Sequence, residues 1–226
     1  MEFDLETQNG SRPLAVEYDK LFAVGYSGRD TGKILAHIRE LEEKPGVPAP
    51  RQIPTIFHCG SPLLTHQGPI SVVGAKTSGE AEYVIVCQGE ERYIGLGSDH
   101  TDRQLESVSV AKSKQVCPKP IARTLWPCRE LEDHWDSIRL ESRQWIDGRW
   151  VDYQKGTLAD ILPPDEILRQ LSSRAGNMER AVIFSGTVPL LGEFVFGGKF
   201  ECRMTDPKLG RSITLGYSVE AMEEEL

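Results

Sequence analysis

The chain has no long apolar run, no basic face and few cysteines, and each scarcity excludes something. Only five cysteines occur in 226 residues, at Cys59, Cys87, Cys117, Cys128 and Cys202. They are odd in number and scattered, and none forms a C-x-x-C pair, so neither a zinc site nor a disulfide framework is expected. A reducing, cytoplasmic setting fits that usage best. No apolar stretch approaches the roughly 20 residues of a membrane span, so no membrane partner is expected. The start, "MEFDLETQNG", is acidic and lacks the charged-then-apolar pattern of a signal peptide. The formal charge is −8. Lys112, Lys114, Lys119 and Arg123 do fall close together, but on a loop-like stretch containing prolines. That is no electrostatic footprint for nucleic acid, and none is expected as a partner. Internal repeats and low-complexity segments are absent as well.

What is present is strand pattern. Residues 13–25, "PLAVEYDKLFAVG", read as strands. "DTGKILAHIRELEE" (residues 30–43) places Ile34, Leu35, Ile38 and Leu41 at helical spacing behind a capping residue, and stops before Pro45. "DHWDSIRLESRQWIDGRWVDYQKG" reads as two or three strands with a tight Asp-Gly turn. "PPDEILRQLSSRAG" reads as a helix with proline at its start and Gly176 near its stop. "RAVIFSGTVPL" is a buried strand, and "GGKFECRMTDPKLGRSITLGYSVE" a terminal strand pair. Many strands with a few short helices predict an α+β, mostly β fold.

Chemistry enters with "TSGEAEYVIVCQGEERYIGLGSDHTDR" (residues 77–103). Two apolar segments flank "QGEE", which predicts a β-hairpin. Side chains alternate along a strand, so Glu80 and Glu82 share a face. If the turn centres near Gly89–Glu90, position 80 faces position 99; one residue later, position 82 does. Either alignment adds Asp99 to the face of the two glutamates. Three carboxylates that close raise one another's pKa, and a hard divalent cation with oxygen ligands relieves the repulsion. The bland alternative is the solvated face of an antiparallel sheet.

The order of these features resembles the fumarylacetoacetate hydrolase superfamily, in particular a branch of it known only as a domain of unknown function. The likeness runs from about Gly25 to the end. It is carried by Glu80-Ala81-Glu82, by Asp99 with Arg103, by Lys112-Ser113, by "PDEILRQLSS", by "VIFSGT" with Gly186 and Thr187, and by His37 with Glu40 in "HIREL". The resemblance implies a mixed β-sandwich roll, with residues 1–24 as N-terminal strands and 25–226 as the catalytic domain of a single-domain chain. It implies a metal site of Glu80, Glu82 and Asp99 holding Mg2+, with Mn2+ or Ca2+ as substitutes. His37, oriented by Glu40, would be the general base; the two share a helix face at i and i+3. Lys112 would stabilise a developing oxyanion or enolate, Lys114 being the less favoured lysine. Arg103, Gly186 and Thr187 would bind substrate. Glu201 and His58 have no assigned role, and His100 is expected on the opposite strand face, as a structural residue.

The implied activity is metal-dependent chemistry on a β-dicarbonyl or 2-oxo acid through a chelated enolate, most simply hydrolysis of a carbon–carbon bond. Decarboxylation, hydration, tautomerisation or a biosynthetic lyase reaction would use the same site. A catalytically silent scaffold is the alternative from another class. The resemblance also implies a homodimer. Departures from the family pattern fall around the substrate: Glu82 and Asp99 are only 17 residues apart, His58 stands where lysine is usual, and Lys114 replaces an aromatic.

Overall fold

The computed structural model describes residues 1–43, 50–66 and 68–225; the side chains of His37, Glu40 and residues 41–43 lie outside that description. Two sheets dominate. The larger has eight strands in the spatial order Gly10–Ala15, Glu2–Thr7, Thr124–Pro127, Glu91–Ser98, Ala81–Gln88, Ala181–Thr187, Lys20–Gly25 and Thr55–Cys59. The smaller has five, ordered Arg149–Thr157, Arg139–Ile146, Lys199–Asp206, Arg211–Met222 and Ile70–Val73. Most neighbours are antiparallel. Glu2–Thr7 runs parallel to Thr124–Pro127, so the N-terminal strands are part of the large sheet.

The strand Ala81–Gln88 lies at the centre of this sheet, and seven of its eight residues are buried. Alternation sends Tyr83, Ile85 and Cys87 into one apolar cluster with Leu140, Phe200 and Met204 of the small sheet. Ile167, Leu168 and Leu171 of the helix Pro164–Ala175 join that cluster. Val84 and Val86 point the other way, into a second cluster with Leu5, Leu21, Leu125 and Phe184. A strand covered on both faces needs an unbroken apolar run, which is why "YVIVC" shows no polar alternation. Glu82 is on the Val84 side by parity, so the one charged residue in the run faces the second cluster.

The hairpin adopts the first of the two alignments. Gln88 pairs with Glu91 and Ala81 with Ser98, which puts the turn at Gly89–Glu90. Gly89 takes φ +62°, a conformation glycine adopts without steric cost. Asp99 N–H then donates to the Glu80 carbonyl at 3.0 Å, closing the open end of the hairpin.

The remaining elements largely follow the sequence pattern. Asp147 and Gly148 both have positive φ, as a two-residue turn of the mirror-image type requires. Trp145 and Trp150 pair across that hairpin with ring centroids 5.4 Å apart. The segment Glu132–Ser137, expected as strand, is a 3-10 turn instead. Its Trp135 packs edge-on against Tyr83 at 4.9 Å, and that packing overrides strand pairing. In the helix Thr31–Glu43, Ile34 and Ile38 are buried and Leu35 is exposed.

Gly97 pairs with Glu82 across the hairpin. A Cβ there would meet Phe184 Cε1 at 2.5 Å and Val84 Cγ2 at 2.7 Å. Gly97→Ala is therefore expected to destabilise the fold by about 2 kcal/mol, as overpacked cores do. Urea denaturation measures this; an unchanged midpoint would show that the second cluster is looser than these contacts indicate.

Candidate metal centre

The hairpin's open end brings Glu80, Glu82 and Asp99 together. One oxygen from each lies within 4.8 Å of the others. Glu82 is 2% exposed and Asp99 1%, while Glu80 is partly open. Burial, and then the adjacent Asp99 charge, pushes Glu82 well above the usual carboxylate range, against the pull of Lys114. Burial would raise Asp99 too, but Lys114 and Lys119 outweigh it and hold that carboxyl well below its ordinary value.

Two lysines flank Asp99. The Lys114 ammonium donates to Asp99 Oδ2 and is itself buried. Burial alone would lower its pKa; Asp99, Glu80, Glu106 and Glu82 raise it instead, so it stays charged. The Lys119 ammonium lies 3.1 Å from Asp99 Oδ1. Its three hydrogens are taken by the carbonyls of His100 at 2.7 Å, Cys117 at 3.2 Å, and Lys114. Asp99 Oδ1 is consequently buried without a hydrogen-bond partner among the described residues. An orphaned carboxylate oxygen beside two further carboxylates is a hard-oxygen donor set of the kind that magnesium or calcium takes. The residues fit a divalent cation.

Arg103 closes the third side. Its Nη2 lies 3.1 Å from Glu80 Oε1, its Nη1 donates to Glu106 Oε2 at 3.0 Å, and its Nε donates to Ser78 Oγ at 2.8 Å. Phe194 packs against the guanidinium, whose carbon stands 4.5 Å from the ring centroid.

The strand Ala181–Thr187 supplies the floor. Its pairing with Ala81–Gln88 slips between Phe184 and Thr187, so Ser185 and Gly186 form a bulge just before Thr187, which pairs with Glu82. There Gly186 N–H donates to Glu82 Oε2 at 2.9 Å. Thr187 Oγ1 donates to the Ala81 carbonyl at 2.6 Å and accepts from Gln154 Nε2 at 2.6 Å. Gln154 Oε1 accepts from Ala81 N–H at 2.9 Å. Gly186 and Thr187, expected to bind substrate, direct these donors at the Glu80–Glu82 segment. Gln154 completes that clamp and was missed, since a glutamine within an amphipathic strand carries no distinguishing signal.

The two lysines of the short helix are placed differently. Lys112 is exposed on the short helix Val110–Gln115, and Lys114 is buried against Asp99. Residues two apart on a helix point to nearly opposite sides, so only one of the pair can face the site. Lys119 was read only as part of a basic stretch.

His37 and Glu40 are on the helix Thr31–Glu43, and their side chains lie outside the described residues. The chain enters that helix from Ser27, whose Oγ donates to the Ser185 carbonyl at 2.6 Å. The root of the helix is thus packed beside the Gly186 bulge. Glu201 is on the small sheet, paired with Arg143 at 2.7 Å. His58 stacks on Phe22 at the sheet edge. His100 contacts Tyr217 Oη at 3.0 Å and Thr77 Oγ1 at 2.9 Å. Burial, then Lys119 and Arg103, pushes it down to about 3, so it is a neutral structural imidazole.

This arrangement of sheets is the fumarylacetoacetate hydrolase fold. It superposes on the crystal structure of Cg1458 with a TM-score of 0.67 at 18% identity, covering 95% of this chain and 81% of that one. A 2-keto-3-deoxy-D-arabinonate dehydratase complexed with magnesium and 2,5-dioxopentanoate gives 0.65 at 15%, covering 96% and 78%. The yeast fumarylacetoacetate hydrolase family protein ynq8 gives 0.62 at 17%, covering 89% and 93%. Within this fold the chain belongs to the family described as "Protein of unknown function (DUF2848)", which matches residues 24–217. No curated protein matches the sequence.

Gly186 has φ +92°, and a Cβ on it would stand 1.9 Å from Ser27 Oγ and 2.8 Å from the Val24 carbonyl. Gly186→Ala is expected to cost at least about 2 kcal/mol, because it combines a left-handed backbone with a clash against main chain. Thermal unfolding of the variant tests this; an unshifted midpoint would mean that the bulge is not built as described.

Proposed function

We propose that the protein is a metal-dependent enzyme acting on a β-dicarbonyl or 2-oxo acid, with hydrolysis of a carbon–carbon bond as the favoured reaction. The observation that carries this reading is the buried cluster of Glu80, Glu82 and Asp99, ringed by Lys114, Lys119 and Arg103. Glu80, Glu82 and Asp99 would hold the cation, magnesium in the cell, with manganese or calcium as substitutes. A bound cation supplies Lewis-acid polarisation of substrate oxygens and charge stabilisation at them.

The chain's own residues account for the rest. His37, held by Glu40, takes a proton from water, which adds to a substrate carbonyl carbon. As the carbon–carbon bond breaks, its electron pair passes to the carbon α to the remaining carbonyl, and His37 returns the proton. The charge-stabilising role expected of Lys112 would fall on this reading to Lys114, and its burial against Asp99 supports that choice. Arg103 offers Nη2, which has no hydrogen-bond partner among the described residues although it pairs with Glu80, to a substrate carboxylate. Gly186 and Thr187 act on substrate through the strand they hold.

The dehydratase likeness favours a second reading on the same residues, loss of water or another lyase step from a 2-oxo acid. The free state of all five cysteines supports a reducing, cytoplasmic setting. The exposed Leu191, Phe194 and Phe196 support an apolar face for a homodimer.

Glu82→Gln should lower divalent-metal affinity at least about tenfold by calorimetry, since it removes one of three anionic ligands from a buried site. Unchanged binding would put the metal elsewhere. His37→Ala should leave metal binding intact and slow loss of a 1,3-diketone or 2-oxo acid, followed by ultraviolet absorbance, by about 100-fold or more. An unaltered rate on a confirmed substrate would assign the proton transfer to another group and favour the lyase reading.

A further inference from the structure

The metal reading explains the three carboxylates but not the number of cations around them. Lys114 and Lys119 both pair with Asp99, and Arg103 pairs with Glu80 and Glu106, while Glu82 is met by the Gly186 N–H. None of the three cations is a loosely tethered surface group. Asp99 is 1% exposed, the Lys114 side chain 7%, the Lys119 side chain 0% and the Arg103 side chain 5%. Lys119 is the most committed. It is wholly buried, and its three hydrogens are fixed on three carbonyls that tie the His100 segment to the end of the Val110–Gln115 helix. It cannot swing towards a substrate without leaving those carbonyls unpaired, which is costly in a buried site. Its charge nonetheless stands 3.1 Å from Asp99 Oδ1.

The two lysines also divide the oxygens of Asp99. Oδ2 is held by Lys114, whereas Oδ1 faces the Lys119 charge without a hydrogen bond. Asp99 is therefore presented through one oxygen, not as a bidentate clamp.

Resting on the metal reading above, we propose that Lys114 and Lys119, through their shared hold on Asp99, offset the charge of the acidic trio before any ligand binds. A divalent cation then binds weakly by itself and tightly only together with an anionic, chelating ligand of the 2-oxo acid type. The physical reason is the site's charge. A desolvated divalent cation entering a site where Asp99 already faces two ammonium groups and Glu80 a guanidinium gains little net attraction. A ligand that brings negative charge and two oxygens restores the balance and completes the coordination shell. Recognition of metal and substrate becomes one coupled event, and by linkage each raises the affinity for the other by the same factor.

The test uses the whole protein, Mn2+ as the metal, and oxalate as the dianionic two-oxygen probe. Bound and free Mn2+ are read by electron paramagnetic resonance, with the manganese–oxalate complex in buffer as reference. Oxalate is expected to tighten Mn2+ binding at least about tenfold in the unmodified protein, on the scale of a strong coupling between sites. Lys114→Met and Lys119→Met should tighten Mn2+ binding without oxalate by about tenfold and shrink the oxalate gain. Lys114→Arg keeps the charge and should retain the original pattern, which separates charge balance from mere packing. Circular dichroism checks that each variant folds, and Lys114→Met decides the matter if Lys119→Met does not.

Tight Mn2+ binding that oxalate leaves unchanged would overturn the coupling while the metal reading stands. Folded lysine variants that bind Mn2+ no more tightly than the original would overturn the role given to the lysines. Absence of Mn2+ binding with and without oxalate would overturn the metal reading itself, and the coupling with it.

Discussion

The structure depends on keeping carboxylates buried at the end of its central hairpin. Asp99 and Glu82 are almost wholly out of water. An isolated buried carboxylate cannot stay ionised at any tolerable cost. The two are handled differently. Asp99 has two ammonium groups against it and stays charged. Glu82 has a single backbone N–H, from Gly186, and burial favours its neutral form. The asymmetry follows from position. Asp99 lies just past its strand, where a helix and a proline-flanked loop can deliver lysines. Glu82 is within a paired strand, where only the neighbouring backbone can reach it.

That backbone contact requires a break in the sheet. A regular ladder would direct the Gly186 N–H at a carbonyl of the next strand. The slip between Phe184 and Thr187 frees it for the carboxylate, and the same slip lets Thr187 and Gln154 clamp Ala81. Glu82 is thus held from the side and Ala81 from front and back. A strand tied in this way keeps two glutamate side chains at fixed separation, as a metal-binding pair needs.

Much of this was legible before any coordinates. The hairpin, the shared face of Glu80, Glu82 and Asp99, and the Asp-Gly turn follow from strand period and turn chemistry, both local properties. The alignment of the hairpin was narrowed to two choices, and the turn at Gly89–Glu90 decides between them. What could not be read depends on orientation between elements. Lys112 and Lys114 are equivalent in sequence until the short helix Val110–Gln115 is placed against Asp99. Gly186 and Thr187 form a strand-end pair whose donors point at substrate or at the protein according to a slip that no sequence period reveals. Lys119, between two prolines, looks like a loop cation, and only the three carbonyls around it make it a core residue.

The same geometry ties several elements into one frame. The carboxylates, Lys114, Lys119 and Arg103 are cross-braced by hydrogen bonds and ion pairs from strands, loop and helix. The start of the helix Thr31–Glu43 is braced as well: Arg29 donates to the Ile161 carbonyl at 2.8 Å and pairs with Asp136, Asp30 caps Lys33, and Ile34 and Ile38 are buried. Its entry is fixed beside the site, through Ser27 and the carbonyl of Ser185. On the proposed reading, a proton-transfer residue on that helix would be anchored near the reacting atoms through this entry. The frame also bears on substrate choice. On the proposed reading it would take two oxygens and negative charge, features common to many oxo acids. Discrimination among them would then fall to what borders the frame: Phe194 over Arg103, Phe57 beside Lys114, and the Thr31–Glu43 helix.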